Sequence, residues 1–297
     1  MAAATAATRA PAATRHRGLW ADAANRLVHN GPAMVGLVLV VGFIGVALFA
    51  PFIAPYDPGA GTIINRFKPP SPEHLLGTDL QGRDILSRII WGARSSLWVA
   101  VLSVSTGLAV GLVYGAAAGY AGGLADFWMM RVVDVMLSLP GLLLTITIVV
   151  FLGPGLNTIA FAIAVENIPL FARLLRSSIL GLKETDYVMA SRSIGARGRR
   201  ILLGHIMPNA LTPVIVAATL ALATAIVDAA GLGFLGFGPQ DPSTPEWGAM
   251  LTDTYRYLTS GAAFTALFPG VAIVLSVLGF NLLGDGLRES LDPRLKR

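Results

Sequence analysis

Five long stretches of the chain carry no Asp, Glu, Lys or Arg. Asn30 to Tyr56 is free of them for 27 residues, Ser95 to Ala125 and Val135 to Val165 for 31 each, Ile206 to Val227 for 22, and Tyr257 to Gly284 for 28. Together they hold nearly half of the 297 residues. A bilayer core about 30 Å thick is crossed by about 20 apolar residues in helical form, so each run is long enough to span. Charged residues make up 13% of the chain, about half of the quarter usual in a soluble domain. A soluble globule, a disordered chain and a nucleic-acid-binding module are thereby excluded. The net charge of +5 then reads as arginines gathered at a membrane face.

Six spanning helices fit the pattern, because Gly153-Pro154-Gly155 splits the third run at a tight turn. The expected spans are Pro32–Ala54, Ser95–Tyr120, Asp134–Leu152, Leu156–Leu175, Asn209–Leu235 and Phe264–Gly286. Lipid offers the backbone no hydrogen bonds, which favours helices, and the short alternating segments of a membrane barrel are absent. Basic residues set the orientation. Of 22 lysines and arginines, 16 fall in the N-terminal segment, beside Asp134, in the connection between the fourth and fifth spans, and in the C-terminal tail. That side is expected to be cytoplasmic, with both termini in it. The loop after the first span holds Arg66, Lys68, Arg83, Arg88 and Arg94, nearly balanced by Asp57, Glu73, Asp79 and Asp84.

The expected organisation is a basic tail over residues 1–29, the first span and a long outer loop over 30–94, a membrane core over 95–287, and a short basic tail over 288–297. The first twenty residues resemble a transit peptide in composition. No apolar segment of signal-peptide length follows them, so a disordered tail ahead of an uncleaved span is expected. The absence of cysteine excludes disulfides and thiol chemistry.

The connection Lys183 to Pro208 is long for a link between spans. Asp186, Tyr187, Val188, Met189, Ala190, Ser191 and Ile194 suit a short amphipathic helix. Gly195 permits a left-handed turn. Arg197, Arg199 and Arg200 follow, Ile201 to Met207 can begin a second apolar helix, and Pro208 marks entry into the fifth span. The small residues Ala190 and Ser191 would let another protein approach closely. A helix lying on the membrane with its arginines toward lipid phosphate satisfies the same spacing.

Ionisable residues at membrane depth are functional candidates by default. Glu166, with Asn167 beside it, and Asp228 are such residues. They either line a transport path or sit as satisfied carboxyls between helices. Outside the spans, Asp79 is expected to cap a helix starting near Leu80. His74, Asp79, Arg83 and Asp84 match no metal-site spacing. Gln240 to Trp247 forms a Pro-rich outer loop, with Trp247 expected at the interface. Gly231-Leu232-Gly233-Phe234-Leu235-Gly236 has dinucleotide spacing but closes a spanning run, where small residues serve helix packing. No phosphate-binding G-x-x-x-x-G-K-[ST] occurs.

Ala190-Ser191-x-x-x-Gly195, followed nine residues later by His205-Ile206-Met207-Pro208, is similar to the EAA loop of ABC importer permeases. In that family the loop reads Glu-Ala-Ala, three residues, Gly, nine residues, Ile-x-Leu-Pro. Here Met189 stands for the Glu, Ser191 for the second Ala, His205 for the Ile and Met207 for the Leu. Gly77-Thr78-Asp79, Gly82-Arg83-Asp84, Leu86-Ser87-Arg88 and Gly92-Ala93-Arg94 resemble the N-terminal signature of the C-type permease subunit of dipeptide and oligopeptide ABC importers. Asp126, Arg131, Asp134 and Pro140, Ala172-Arg173-Leu174 with Arg176, Phe234 to Gly238, Trp247 to Leu251 and Phe280 to Arg294 resemble its later segments. The resemblance covers about residues 30 to 297.

It implies an all-α polytopic membrane protein with the type I ABC importer permease fold. It also implies a second permease of related type, two ATPase subunits that dock on the EAA helix, and an extracytoplasmic substrate-binding protein that delivers peptide. ATP would be bound by the partners, and this chain would hold no cofactor or metal and catalyse no covalent step. Peptide would cross the inner membrane by alternating access. A self-sufficient ion-coupled transporter or channel using Glu166 and Asp228 is the other reading; it predicts inverted repeats, and none is evident. An intramembrane protease would need a Ser–His pair, but His16, His29, His74 and His205 all fall outside the spans.

Overall fold

The computed structural model describes residues 19–257 and 261–291. Arg9, Arg15 and Arg17 of the N-terminal tail, and Arg294, Lys296 and Arg297 of the C-terminal one, lie outside the described residues. Eleven α-helices follow in chain order among them. They are α1 (Leu19–His29), α2 (Gly31–Ile53), α3 (Ile85–Ala121), α4 (Gly123–Ser138), α5 (Gly141–Leu152) and α6 (Leu156–Lys183). After these come α7 (Asp186–Ser193), α8 (Gly198–Ile201), α9 (Met207–Leu232), α10 (Trp247–Thr254) and α11 (Phe264–Leu291). No strand occurs among the described residues, only the isolated bridges Gly61–Arg83 and Thr78–Asp84.

Five helical stretches are long and apolar enough to cross a bilayer: α2, α3, α6, the run Gly198–Phe237 and α11. The pair α4 and α5 makes a sixth crossing if the two are counted as one broken span. The sequence pattern predicts one helix over Asp134–Leu152, but α4 and α5 meet at 89°. Pro140 causes the break: it lacks an N–H and drives Leu139 to an extended conformation, ψ 136°. Alone, the 12 residues of α5 are about 18 Å long, short of a bilayer core.

Two further departures from the expected boundaries have local causes. Residues 19–29, expected to be disordered, form α1, which packs on α11. There the Asn30 side-chain amide donates to Glu289 at 2.7 Å, while Asn30 Oδ1 caps α2 at Ala33 N. The described ends of the chain therefore lie on one side. Helix α9 carries Pro208 in its first turn, as expected, but it is not separate from α8, which it continues through a π-helical turn over Leu202–Ile206. The widened turn precedes Pro208, whose ring would crowd the residue-204 carbonyl in a regular helix.

The bundle is organised around α3 and α6. Gly107, Gly111, Gly115 and Gly119 recur every four residues along one face of α3. A Cβ at Gly111 would come within 2.7 Å of Phe171 Cβ, and one at Gly115 would strike the Ala172 carbonyl. The two backbones touch because these side chains are missing, the small-residue packing that holds helices together where lipid removes the hydrophobic drive. Buried Ile163, Phe171, Leu175 and Ile179 of α6 complete the contact. Of the five long spans, α6 is the most buried, and α2 and α11 are the least.

Coupling segment, pathway carboxylates and outer ion-pair cluster

On the side where α6 ends and α8 begins, α7 projects from the bundle. Val188 is its one buried side chain, packed in the same core as Ile179, Ile201 and Ile206. Asp186, Tyr187, Met189, Ala190 and Ile194 are exposed, Ile194 at 85%. Ser191 turns its hydroxyl back to Tyr187 O (2.8 Å), so it presents little polarity outward. Gly195 adopts φ 79°. With Gly195 N on Arg192 O and Ala196 N on Ser191 O, it closes α7 in the left-handed turn that favours glycine. Arg197 then starts α8, its carbonyl accepting from Arg200 N and Ile201 N. Pro208 falls in the first turn of α9.

The end of α6, from which α7 projects, is braced by polar struts that the α7 sequence does not reveal. Lys183, at the foot of α6, donates to the carbonyls of Gly119 and Tyr120, groups that the end of α3 leaves unpaired. Its ammonium also lies 5.8 Å from the Tyr120 ring, and the Tyr120 hydroxyl abuts Gly198. Arg176 grips Asp126 of α4 through Nε and Nη2, each at 2.5 Å. Arg173 reaches Asp134 at 2.5 Å. These contacts join the end of α6, from which α7 projects, to α3 and α4.

Glu166 lies on α6 and Asp228 on α9. Both are half-buried. Glu166 rests its carboxylate against Gly141, the first residue of α5. Its Oε2 is buried without a hydrogen-bond partner among the described residues. Asn167 is placed differently. It is 8% exposed, its amide donates to Ile163 O at 2.9 Å, and its Cβ packs where Gly107 leaves room. Pro169 is buried within the same helix.

At the opposite end lies a cluster of charges. Asp84, not Asp79, caps the adjoining helix α3, accepting from Ser87 N and Ser87 Oγ at 2.8 Å each. The turn at Gly82, φ 73°, delays the helix past the expected start at Leu80. Asp79 instead accepts from Arg83 Nε at 2.6 Å and from the backbone of Gln81 and Arg83. Arg83, 2% exposed, continues to Asp253 and to Pro242 O. Arg88 also reaches Pro242 O, and His74 Nδ1 lies 3.0 Å from Asp84. Pairing offsets part of the desolvation cost here, but Arg88 Nε is buried 3.5 Å from Asp79 with no hydrogen-bond partner among the described residues.

The Pro-rich loop is fastened to this cluster. Glu246 is buried and caps α10 by accepting from Gly248 N and Ala249 N. Burial pushes its carboxyl above the usual range, against the pull of those bonds. Trp247, expected at the membrane interface, is fully buried. It donates to Ile89 O, lies over Gly92 and meets Phe43 edge-on at 5.7 Å. The Gly231–Gly236 segment belongs to the same contact: a Cβ at Gly233 would strike the Glu246 carboxylate. It follows a helix and not a strand, so it has no nucleotide-binding geometry.

The profile of the binding-protein-dependent transport system inner membrane component matches residues 111–297. That of the N-terminal TM domain of oligopeptide transport permease C matches residues 18–70. The dipeptide transport system permease protein DppC of Alkalihalophilus pseudofirmus is 47% identical over 277 residues, covering 93% of this chain and 90% of that protein. The di/tripeptide transport system permease protein DppC of Pseudomonas aeruginosa is 46% identical, covering 90% of each. The oligopeptide transport system permease protein OppC of Bacillus subtilis is 40% identical, covering 94% and 91%.

Among solved structures, the MetNI methionine ABC transporter in inward facing conformations matches 70% of this chain and 98% of its own. The TM-score is 0.57 at 22% identity, a likeness of fold alone. A self-sufficient ion-coupled transporter finds no support among these relatives. The chain belongs to the family of binding-protein-dependent transport system inner membrane components, as a permease subunit of an ABC importer.

Proposed function

We propose that this subunit forms one half of a peptide pathway across the inner membrane, with a second permease of related type as the other half. Two ATPases supply the energy and an extracytoplasmic binding protein supplies the substrate. The dipeptide, di/tripeptide and oligopeptide transport for which the 40–47% identical relatives are named supports the substrate class. This chain binds no ATP and performs no covalent chemistry in this scheme. Both termini and α7 face the cytoplasm, as the basic residues favour.

The single observation that carries the coupling role is α7 itself. It is a short helix held by one buried valine and presenting Tyr187, Met189 and Ile194 outward, and it projects from the end of α6, which Lys183 and Arg176 tie to α3 and α4. That combination suits a handle: enough exposed apolar surface to seat in a partner, and enough bracing to move the bundle. The residues of the handle are Asp186 to Ser191, Ile194, Gly195 and Arg197, with Pro208 at the far end of the link. Met189 offers an apolar contact where the family pattern has a carboxylate. Deleting residues 187–195 should abolish co-purification of the ATPase subunits while membrane insertion persists. Full ATPase association after deletion would refute the docking role.

Glu166 and Asp228 serve the substrate's positive charge in this reading, and Asn167 holds Glu166 in place through helix packing. An ammonium from a peptide's amino end would satisfy the unpaired Glu166 oxygen. Glu166→Gln should lower uptake of peptides with a free amino terminus relative to N-acetylated ones, with assembly unchanged. Equal uptake ratios in the variant and the native protein would remove Glu166 from the pathway.

A further inference from the structure

A cavity of about 860 Å³ opens at the end of the bundle opposite α7, between α2, the first turns of α3, Leu156 of α6 and the turn at residues 243–245. Its chemistry is graded along α3. Arg94 stands at one end, over the Trp91 ring at 5.8 Å. Among the described residues no carboxylate lies within ion-pair distance of Arg94, whereas Arg83 and Arg88 of the same region share Asp79. Four and seven residues further on, about 6 and 10 Å along the helix, Trp98 and Val101 line the cavity, faced by Ile44 and Leu48 of α2. Each of these four side chains is roughly half exposed. Trp98 is oriented by its Nε1, which donates to Asn157 at 3.4 Å.

A free cation at the outer end, tryptophans beside it, and an aliphatic slot running toward the middle of the bilayer form one ligand profile. We propose that this groove seats one anionic glycerophospholipid, its phosphodiester on Arg94 and one acyl chain in the slot beside Trp98 and Leu48. Charge complementarity selects the occupant. A protein covering this groove would have to bring its own acid to Arg94, whereas a phosphodiester presents oxygens in the geometry that a guanidinium fork accepts. The slot is also continuous with the exposed apolar face of α2, where Val38, Val41 and Phe52 stand outward, so an acyl chain enters it from the surrounding lipid. Seated there, the lipid ties α2 to α3 and to the 243–245 turn.

Native mass spectrometry of the assembled transporter, purified from its membrane, tests this directly. The native complex should retain phosphatidylglycerol. Arg94→Gln should retain about tenfold less, the worth of one charged hydrogen-bonding contact, and Arg94→Lys should retain most of it. Equal retention in the native complex and Arg94→Gln would overturn the proposal. A photo-reactive residue in place of Leu48 gives an independent measurement should Arg94→Gln fail to assemble. Cross-linking to phospholipid supports the lipid seat, and cross-linking to the second permease subunit overturns it.

Discussion

The Asp126–Arg176 pair sets how firmly α6 carries α4 with it, and its strength can be bounded from its surroundings. The guanidinium meets both carboxylate oxygens at 2.5 Å, and the side chains are 27% and 13% exposed. Exposed pairs are worth about 0–1 kcal/mol. Breaking a fully buried pair costs about 3–5 kcal/mol. A bidentate pair at this partial burial falls between, at about 1–2 kcal/mol after solvent screening. That is a factor of about 5–30 in an equilibrium between coupled and uncoupled arrangements. Arg173–Asp134 provides the internal control: its distance is also 2.5 Å, but its side chains are 51% and 47% exposed. In the reconstituted transporter, Asp126→Asn should leave ATP hydrolysis running while peptide moved per ATP falls several-fold. Asp134→Asn should change it less than about twofold. Exchanging the charges, Asp126→Arg with Arg176→Asp, should restore part of the loss. Equal effects of the two Asn variants would refute the burial argument. An unaltered transport ratio in Asp126→Asn would refute the transmission route.

Helix contact makes a second contrast. Gly115→Ala places a methyl group against the Ala172 carbonyl, while Gly45→Ala in α2 meets nothing within 4 Å. The thermal midpoint of the assembled complex should fall for Gly115→Ala, for which overpacking costs about 1–3 kcal/mol, and hold or rise for Gly45→Ala. Similar midpoints for the two would mean that α3 and α6 do not depend on close approach. For Glu246, burial holds the folded-state pKa above the unfolded one. Its proton therefore favours the folded state fully below the unfolded carboxylate value, about 4.3, and this contribution is lost as pH rises through the raised folded value. The midpoint of the native protein should fall relative to Glu246→Gln as pH is raised above about 5, and a pH-independent difference would count against that assignment.

Much of this architecture is legible in the sequence because lipid leaves the backbone few options. Charge-free runs predicted α2 to within a residue at each end and the starts of α6 and α11, which continue past the expected Leu175 and Gly286 to Lys183 and Leu291, and the Gly195 turn needed only the residue type and its setting. Failures occurred where one residue redirects a helix without changing its hydropathy. Pro140 sits inside an apolar run with nothing in composition to separate a kink from a 89° corner. The glycine ladder from Gly107 to Gly119 was not singled out from the sequence, because its meaning depends on a distant partner. That partner is Ala164 to Ala172 of α6, some 57 residues along the chain. Asp79 and Asp84 are both plausible caps by type; the turn at Gly82 decides between them.

The functional positions divide along the same line. The handle α7 is a local structure, so its sequence specifies it: a buried Val188, outward Tyr187 and Met189, and a glycine stop. Its mechanical value depends on Lys183 finding the end of α3 and on Arg176 finding Asp126, contacts 64 and 50 residues apart in sequence. Glu166 shows the reverse case. Its position in an apolar helix marked it as costly, yet only the fold places Gly141 beneath its carboxylate. An alanine there would collide with Glu166 Oε1. In the scheme proposed above, the α4–α5 corner and the membrane carboxylate act as one device. A motion that reached α4 through Asp126 would arrive at the Pro140 bend, and the first residue beyond that bend is the one on which Glu166 rests. A force applied at α7 and a charge offered to a substrate would then be separated by two contacts, both of which single substitutions can open.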